Sequence, residues 1–255
     1  MEQEGKYIYC IIGAKQDRDF GPIGIGGRGD KVNTIGADDL AMVISSHPLM
    51  KLVVSRENIL AHEKVIEEVM KEYAVLPVRF CTIASNTDEI RSLLLKRYRE
   101  FKNALKDMDH KVELGVKGIW KDMESIFGEI AEENKEIKKI KSRLKGGTKP
   151  KDVQTKIGLG KLVEAALKNK KNEEAQKIVD ALRVASFDYK LNNTMADEMF
   201  INASFLVSKG REKEFDNIME EVSETYKDRV KFLYVGPLPP YNFVNITIYQ
   251  EEWEK

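Results

Sequence analysis

Residues 7–12, YIYCII, form a near-continuous apolar run rich in β-branched and aromatic side chains, which predicts a buried strand. Two further runs, 32–35 and 40–45, predict a strand pair turning at 36–39, and His47-Pro48 closes that segment. The period then changes from two to three and four. Ile59, His62, Ile66, Val69, Met70 and Tyr73 make one stripe, predicting a helix that Glu57-Asn58 opens and that runs to about Tyr73. LPVRFCTI, 76–83, reads as a short strand with Pro77 at its tolerant first position. Alternation places Val78 and Phe80 on one face and Arg79 and Cys81 on the other. Asn86 or Thr87 caps the next helix, whose stripe is Ile90, Leu93, Leu94, Phe101, Leu105 and Met108. KVELGVKGIW, 111–120, alternates with Val112, Leu114 and Val116 inward and Glu113 and Lys117 outward. Strands flanking two amphipathic helices predict a ferredoxin-like α+β domain over 1–120.

Beyond Lys121 the texture changes. Met123, Ile126, Ile130, Ile137, Ile140 and Leu144 recur at coiled-coil spacing, with Asn134 at one seam position. Gly146-Gly147 and Pro150 break this helix. A second one follows over 153–187, so that 121–190 reads as a long antiparallel helical hairpin. A strand over 199–207, a helix over 212–226 and a strand over 230–235 make a smaller α/β unit, 191–255. It closes on GPLPPYNFV, whose Pro237, Pro239 and Pro240 force an extended path, and on 244–249 as an edge strand or tail. The fold class expected is therefore α+β, two α/β units joined by a helical hairpin.

Composition narrows the function classes. The 42 basic and 42 acidic residues cancel, which argues against a dedicated nucleic-acid binder. The basic run around 135–151 carries no interleaved aromatic residue on which bases stack, and no strand has the aromatic pattern of an RNA-recognition sheet. The two cysteines, Cys10 and Cys81, lie in apolar runs without redox or metal spacing and read as buried hydrophobes in a reducing compartment. No stretch approaches the roughly 20 apolar residues of a membrane span. The expectation is a cytoplasmic protein without membrane contact.

Candidate chemistry is thin. GIGGRG, within the glycine-rich loop 21–29, matches the dinucleotide fingerprint in letters only, because no strand leads directly into it and no helix opens from it. A small-ligand regulatory protein using that loop is the alternative functional reading. The stretch 56–83 holds the most unusual combination of residue types: Arg56 and Glu57 at its start, His62 in the helix, then Pro77, Arg79 and Phe80. His62 is not part of HExxH, since position 66 is Ile. It reads as a core or boundary histidine or as a partner contact. Three histidines, His47, His62 and His110, assemble no nucleophile–base–orienter set, so no catalytic residue, cofactor or metal is predicted.

Three segments, in order, carry a family resemblance. RENILAHEKVIEEVMKEYAVLPVRF is similar to the R-E-N-x-x-x-H, helix, L-P-x-R-F signature of the gas vesicle protein L/F family. KVELGVKGIW, ending at Trp120, resembles its K-x-E-x-x-V-K-x-x-W strand. INASFLV with GPLPPYNFV, which includes Tyr241, resembles its paired strand and G-P-x-P-P-Y-x-F-V close. The chain departs from that pattern at Cys81, where the family often has Gly, and at Leu238, where it often has Trp. The resemblance implies a non-enzymatic accessory protein of gas vesicle formation, partnered by the small hydrophobic shell protein and other accessory proteins. It offers Arg56, Glu57, His62, Arg79 and Tyr241 as partner contacts. Pro77, Phe80, Trp120, Pro237, Pro239 and Pro240 are the structural positions.

Overall fold

The computed structural model describes residues 4–50, 52–145 and 153–248. It divides into two compact units, 1–113 with 237–255, and 114–236. Both are α+β.

In the first unit β1 (Glu4–Ile12) is the strand on which the others are laid. A six-stranded sheet runs β2 (Asp19–Gly21), β3 (Val32–Ala37), β4 (Leu40–Pro48), β1, β5 (Val75–Pro77), with β6 (Ile83–Ala84) also on β1. β1 is antiparallel to β4, β5 and β6. Both its faces are covered, which is why its apolar run is nearly unbroken. Ile8 and Ile11 enter a core with Leu93, Leu94 and Phe101 of α2 (Thr87–Lys96) and α3 (Tyr98–Met108). Tyr7, Tyr9, Cys10 and Ile12 enter another with Val65, Ile66 and Val69 of α1 (Arg56–Met70). A bulge between Ile8 and Cys10 shifts the alternation: Tyr9 is the extra residue, so Tyr9 and Cys10, adjacent in the chain, enter the same core before Ile11 returns to the other.

The expected pair 32–35 and 40–45 forms as the β3–β4 hairpin, turning through Asp38 at φ 55°. Asn86 caps α2, accepting the Asp88 and Glu89 backbone N–H groups. Arg97, at φ −105° and ψ 20°, splits what the pattern predicts as one helix into α2 and α3.

The second unit runs β7 (Lys111–Trp120, its first three residues in unit one), α4 (Met123–Glu133), α5 (Lys135–Lys145), α6 (Val153–Leu182), β8 (Asp188–Leu191), β9 (Met199–Ser208), α7 (Glu212–Thr225) and β10 (Val230–Leu238). The strand order is β10-β7-β9-β8. Each strand–helix–strand step therefore straddles one strand, which is the β-α-β-β-α-β ferredoxin-like arrangement. The ferredoxin-like order expected over 1–120 thus occurs in 114–236, and the compact units do not divide at 120/121 and 190/191. Hydrophobic period identifies strands and helices but not which strands pair. The long helices 121–190 pack within this unit: Ile126, Ile130, Ile137, Ile178, Val179 and Leu182 share a core with Trp120, Phe200, Phe205 and Phe215. The Gly146-Gly147 and Pro150 break lies outside the described residues.

β7 departs from its predicted alternation at one position. Glu113, expected outward, is 2% exposed, and its carboxylate accepts both the backbone N–H (2.8 Å) and the side-chain amide (2.5 Å) of Asn242. A long-range partner satisfies a charge that period alone sends to solvent.

Candidate functional site

α1 begins where Ser55, extended at φ −119° and ψ 156°, accepts the Asn58 N–H at 3.2 Å as its N-cap. The helix turns His62, Val65, Ile66 and Val69 inward. Ile59, placed in the stripe by its spacing, is at the rim, 36% exposed.

His62 sits in an aromatic nest. Tyr9 stacks on its ring at 5.6 Å (28° between planes), and Tyr7 and Phe80 meet it edge-on at 5.7 and 5.8 Å. Its Nδ1 lies 2.9 Å from the Tyr7 hydroxyl, which also accepts the Cys81 N–H at 3.0 Å. Burial holds the imidazole largely unprotonated, with its pKa lowered to about 4, although hydrogen bonding to the Val78 backbone pulls the other way. The same burial raises the Tyr7 and Tyr9 phenols. Tyr9 hydroxyl pairs with Ser45 Oγ at 2.9 Å and accepts the Ile25 N–H at 2.8 Å.

That last bond explains the glycine loop. Ile25 is fully buried in the core beside Tyr9 and Val65, so the loop's own side chain fills the space above the sheet. Gly26, Gly27 and Gly29 have positive φ, which only glycine adopts freely. They turn the chain around the Ile25 anchor and do not open a phosphate cradle.

The predicted strand 76–83 is interrupted. β5 ends at Pro77, and the chain turns through Arg79, whose carbonyl accepts the Thr82 hydroxyl at 2.7 Å, and Cys81 at φ 67°, before β6. Left-handed backbone at Cys81 is the conformation that the family's frequent Gly adopts without strain. The turn lifts Phe80 onto Tyr7 and His62 and leaves Arg79 exposed. Among the described residues the Arg79 guanidinium makes no ion pair. Arg56 and Glu57 are exposed in the first turn of α1. Pro77 is buried in β5, Pro239 and Pro240 are buried, and Pro237 is exposed. Trp120 lies in the other unit, stacked on Phe200 at 5.1 Å. Tyr241 packs against the His62 core with its phenol pushed up by burial, and among the described residues its hydroxyl has no hydrogen-bond partner.

The arrangement offers little chemistry. His62 is closed in by aromatic rings, and among the described residues no three His, Cys, Asp or Glu side chains could hold a metal ion. What the nest does is hold a surface. The loop between β4 and α1 lies against the 79–82 turn, with the Leu52 N–H on Cys81 Sγ at 3.3 Å. That loop and the outer face of α1 expose Val53 and Val54 (74% each), Met50 (58%) and Leu60 (51%), with Leu49 and Ile59 at the edge. Exposed apolar side chains grouped in this way mark a contact surface. The run PLMKLVV was its signal in the sequence, apolar yet outside every predicted element. No helix among the described residues is long and apolar enough to cross a membrane.

A sequence model of the family described as gas vesicle synthesis protein GvpL/GvpF matches residues 5–245. Gas vesicle protein F of a Streptomyces species is 29% identical over 244 residues, covering 93% of this chain and 98% of the relative. Gas vesicle protein F1 of Halobacterium salinarum is 25% identical over 252 residues, covering 98% and 97%. Among solved structures, the gas vesicle protein GvpF from Anabaena sp. PCC7120 superposes with a TM-score of 0.80 at 23% identity, covering 96% of this chain and all (100%) of that one. GvpF from Microcystis aeruginosa gives 0.78 at 24% identity, covering 95% and 99%. These two show a shared fold.

Proposed function

The chain belongs to the gas vesicle synthesis protein GvpL/GvpF family and has a gas vesicle accessory role, and from that premise we propose that it binds the small hydrophobic shell protein before assembly, alone or with other accessory proteins. A wall that keeps water out of a gas space needs apolar subunits, and such subunits aggregate unless another surface covers them first. The observation that carries the reading is the exposed patch Met50, Val53, Val54 and Leu60, held in place by the His62 nest. Charged residues flank it, with Arg56 and Glu57 following Val54 in the chain and Arg79 exposed in the turn that the loop lies against, as suits a contact surface with an apolar centre.

Co-expression of the full chain with the shell protein, followed by affinity capture, tests this. Retention of the shell protein is expected. Its absence both alone and with the other accessory proteins would sink the reading. Val53→Asp with Val54→Asp is expected to weaken capture at least tenfold, which corresponds to about 1.4 kcal/mol. Both side chains face solvent, so the melting temperature should hold. Arg79→Ala should change stability by less than about 0.5 kcal/mol, as a surface residue does, and should reduce capture. Unfolding of this variant by circular dichroism would make Arg79 structural. Phe80→Ala, by contrast, empties part of the nest and should cost about 3 kcal/mol in denaturant titration.

A further inference from the structure

After a turn at 241–243, residues 244–248 return to the first unit's sheet as an extended strap. Val78 gives its backbone N–H to Tyr9 on β1 (2.9 Å), so its other edge faces outward from the sheet, and Ile246 occupies it in a single parallel bridge. Ile246 is buried among Leu76, Val78, Ile90 and Phe101, and Val244 and Ile248 pack against the same core. Asn245 between them is exposed. The groove thus holds an extended segment with apolar side chains at every second position, the strand-addition mode of recognition acting within one chain.

The strap is unevenly fastened. Its root is firm, where buried Glu113 takes two hydrogen bonds from Asn242. Next to it the Phe243 and Val244 N–H groups donate to the Pro240 carbonyl at 3.1 and 3.0 Å; farther along, the strap meets Val78 in the bridge, and Arg97 Nη1 donates to the Thr247 carbonyl at 2.9 Å. Arg97 is itself seated over the Phe101 ring, 5.0 Å from its centroid. Neither contact reads a particular side chain. What the groove selects is extended backbone with period-two apolar positions.

We propose that this groove is a strand-accepting site: the strap lifts from Val78 while its root stays on Glu113, and an extended, alternately apolar segment of the shell protein takes its place. The identity of the partner rests on the function proposed above, whereas the exchange rests on the groove alone. The displaced and incoming segments make equivalent backbone bonds, so the exchange is set by relative apolar fit and concentration.

The test uses the full chain and a fluorescein-labelled peptide of residues 240–248, PYNFVNITI. Ile246→Asp should free the groove and bind this peptide at least tenfold more tightly than the unaltered chain does. A peptide of the same composition with its apolar residues made adjacent should not bind. An Ile246→Asp chain that keeps its near-ultraviolet dichroism yet binds the peptide no better than the unaltered chain overturns the proposal. Hydrogen exchange on the unaltered chain gives an answer that needs no variant. Amides of 245–248 should exchange at least a hundredfold faster than those of β1, and equal protection also overturns the proposal. If the peptide exchanges as expected but the shell protein is not captured, the groove stands and the shell-protein reading falls.

Discussion

Replacing Arg229 with alanine is expected to destabilise the protein by roughly 2 kcal/mol, read as a lower denaturant midpoint at unchanged slope. Arg229, just before β10, grips two carboxylates. Its Nη1 and Nη2 take Glu129 of α4 at 2.5 and 2.8 Å, and Nη2 also takes Glu174 of α6 at 2.7 Å. Trp120 Nε1, at the end of β7, donates to the other Glu174 oxygen at 2.7 Å, and Lys170 pairs with Glu129 at 2.8 Å. Without the guanidinium, half-buried Glu174 is left with no cation among the described residues, whereas Glu129 keeps Lys170. Such a stranded charge costs more than the intact pair contributes. Arg229→Lys should recover only part of the loss, because an ammonium cannot span both carboxylates in the same fork. Equal stability of the alanine variant and the parent would show that solvent screens the cluster. The Arg229 and Lys170 charges hold Glu129 down at about 2, so its contribution is complete above its ordinary value of 4.5. It is lost as the pH falls from there towards 2.

A second loss is expected at milder acidity. His62 has its pKa lowered from 6.5 to about 4, so between those values the unfolded chain binds a proton that the folded chain refuses. Stability therefore rises with pH through that window and is complete above it. At about 1.4 kcal/mol per pH unit, the folded state should lose on the order of 3 kcal/mol from pH 6.5 to 4. Urea titrations at half-unit intervals measure this. His62→Leu should flatten the slope in that window while lowering the plateau, because Tyr7 loses the partner at its hydroxyl. The Glu129 window begins at 4.5, so between 4.5 and 6.5 the His62 effect is read apart from it. A slope that survives in His62→Leu would assign the titration to another group.

The same residues show how far the chain could be read in advance. His62 falls on the apolar stripe of its helix, so a buried histidine follows from spacing alone. Tyr7 and Tyr9 were visible as alternate aromatics in one strand. Their meeting with His62 was not, because it depends on the pairing of β1 with β5 and β6. Arg229 carries no local signal at all: its partners lie 100 and 55 positions away in the chain. Glu113 misled for the same reason. Alternation sends it outward, and only the returning Asn242, 129 positions later, explains its burial.

Periodicity therefore determined what each stretch is. Strand 7–12, the helix after Ser55, the β3–β4 hairpin, the Asn86 cap and the strands 111–120 and 199–207 are local consequences of side-chain spacing and capping chemistry. Three motifs in order, RENILAHEKVIEEVMKEYAVLPVRF first among them, were enough to place the chain in its family. Tertiary structure decided what those elements do together. It put the ferredoxin-like strand order in 114–236, interrupted 76–83 with a left-handed Cys81, filled the glycine loop with Ile25 and laid residues 244–248 against Val78. Each of these depends on contacts between residues far apart in the chain, whose free energy comes from burial and pairing after the chain has closed on itself. No window of neighbouring residues contains that information.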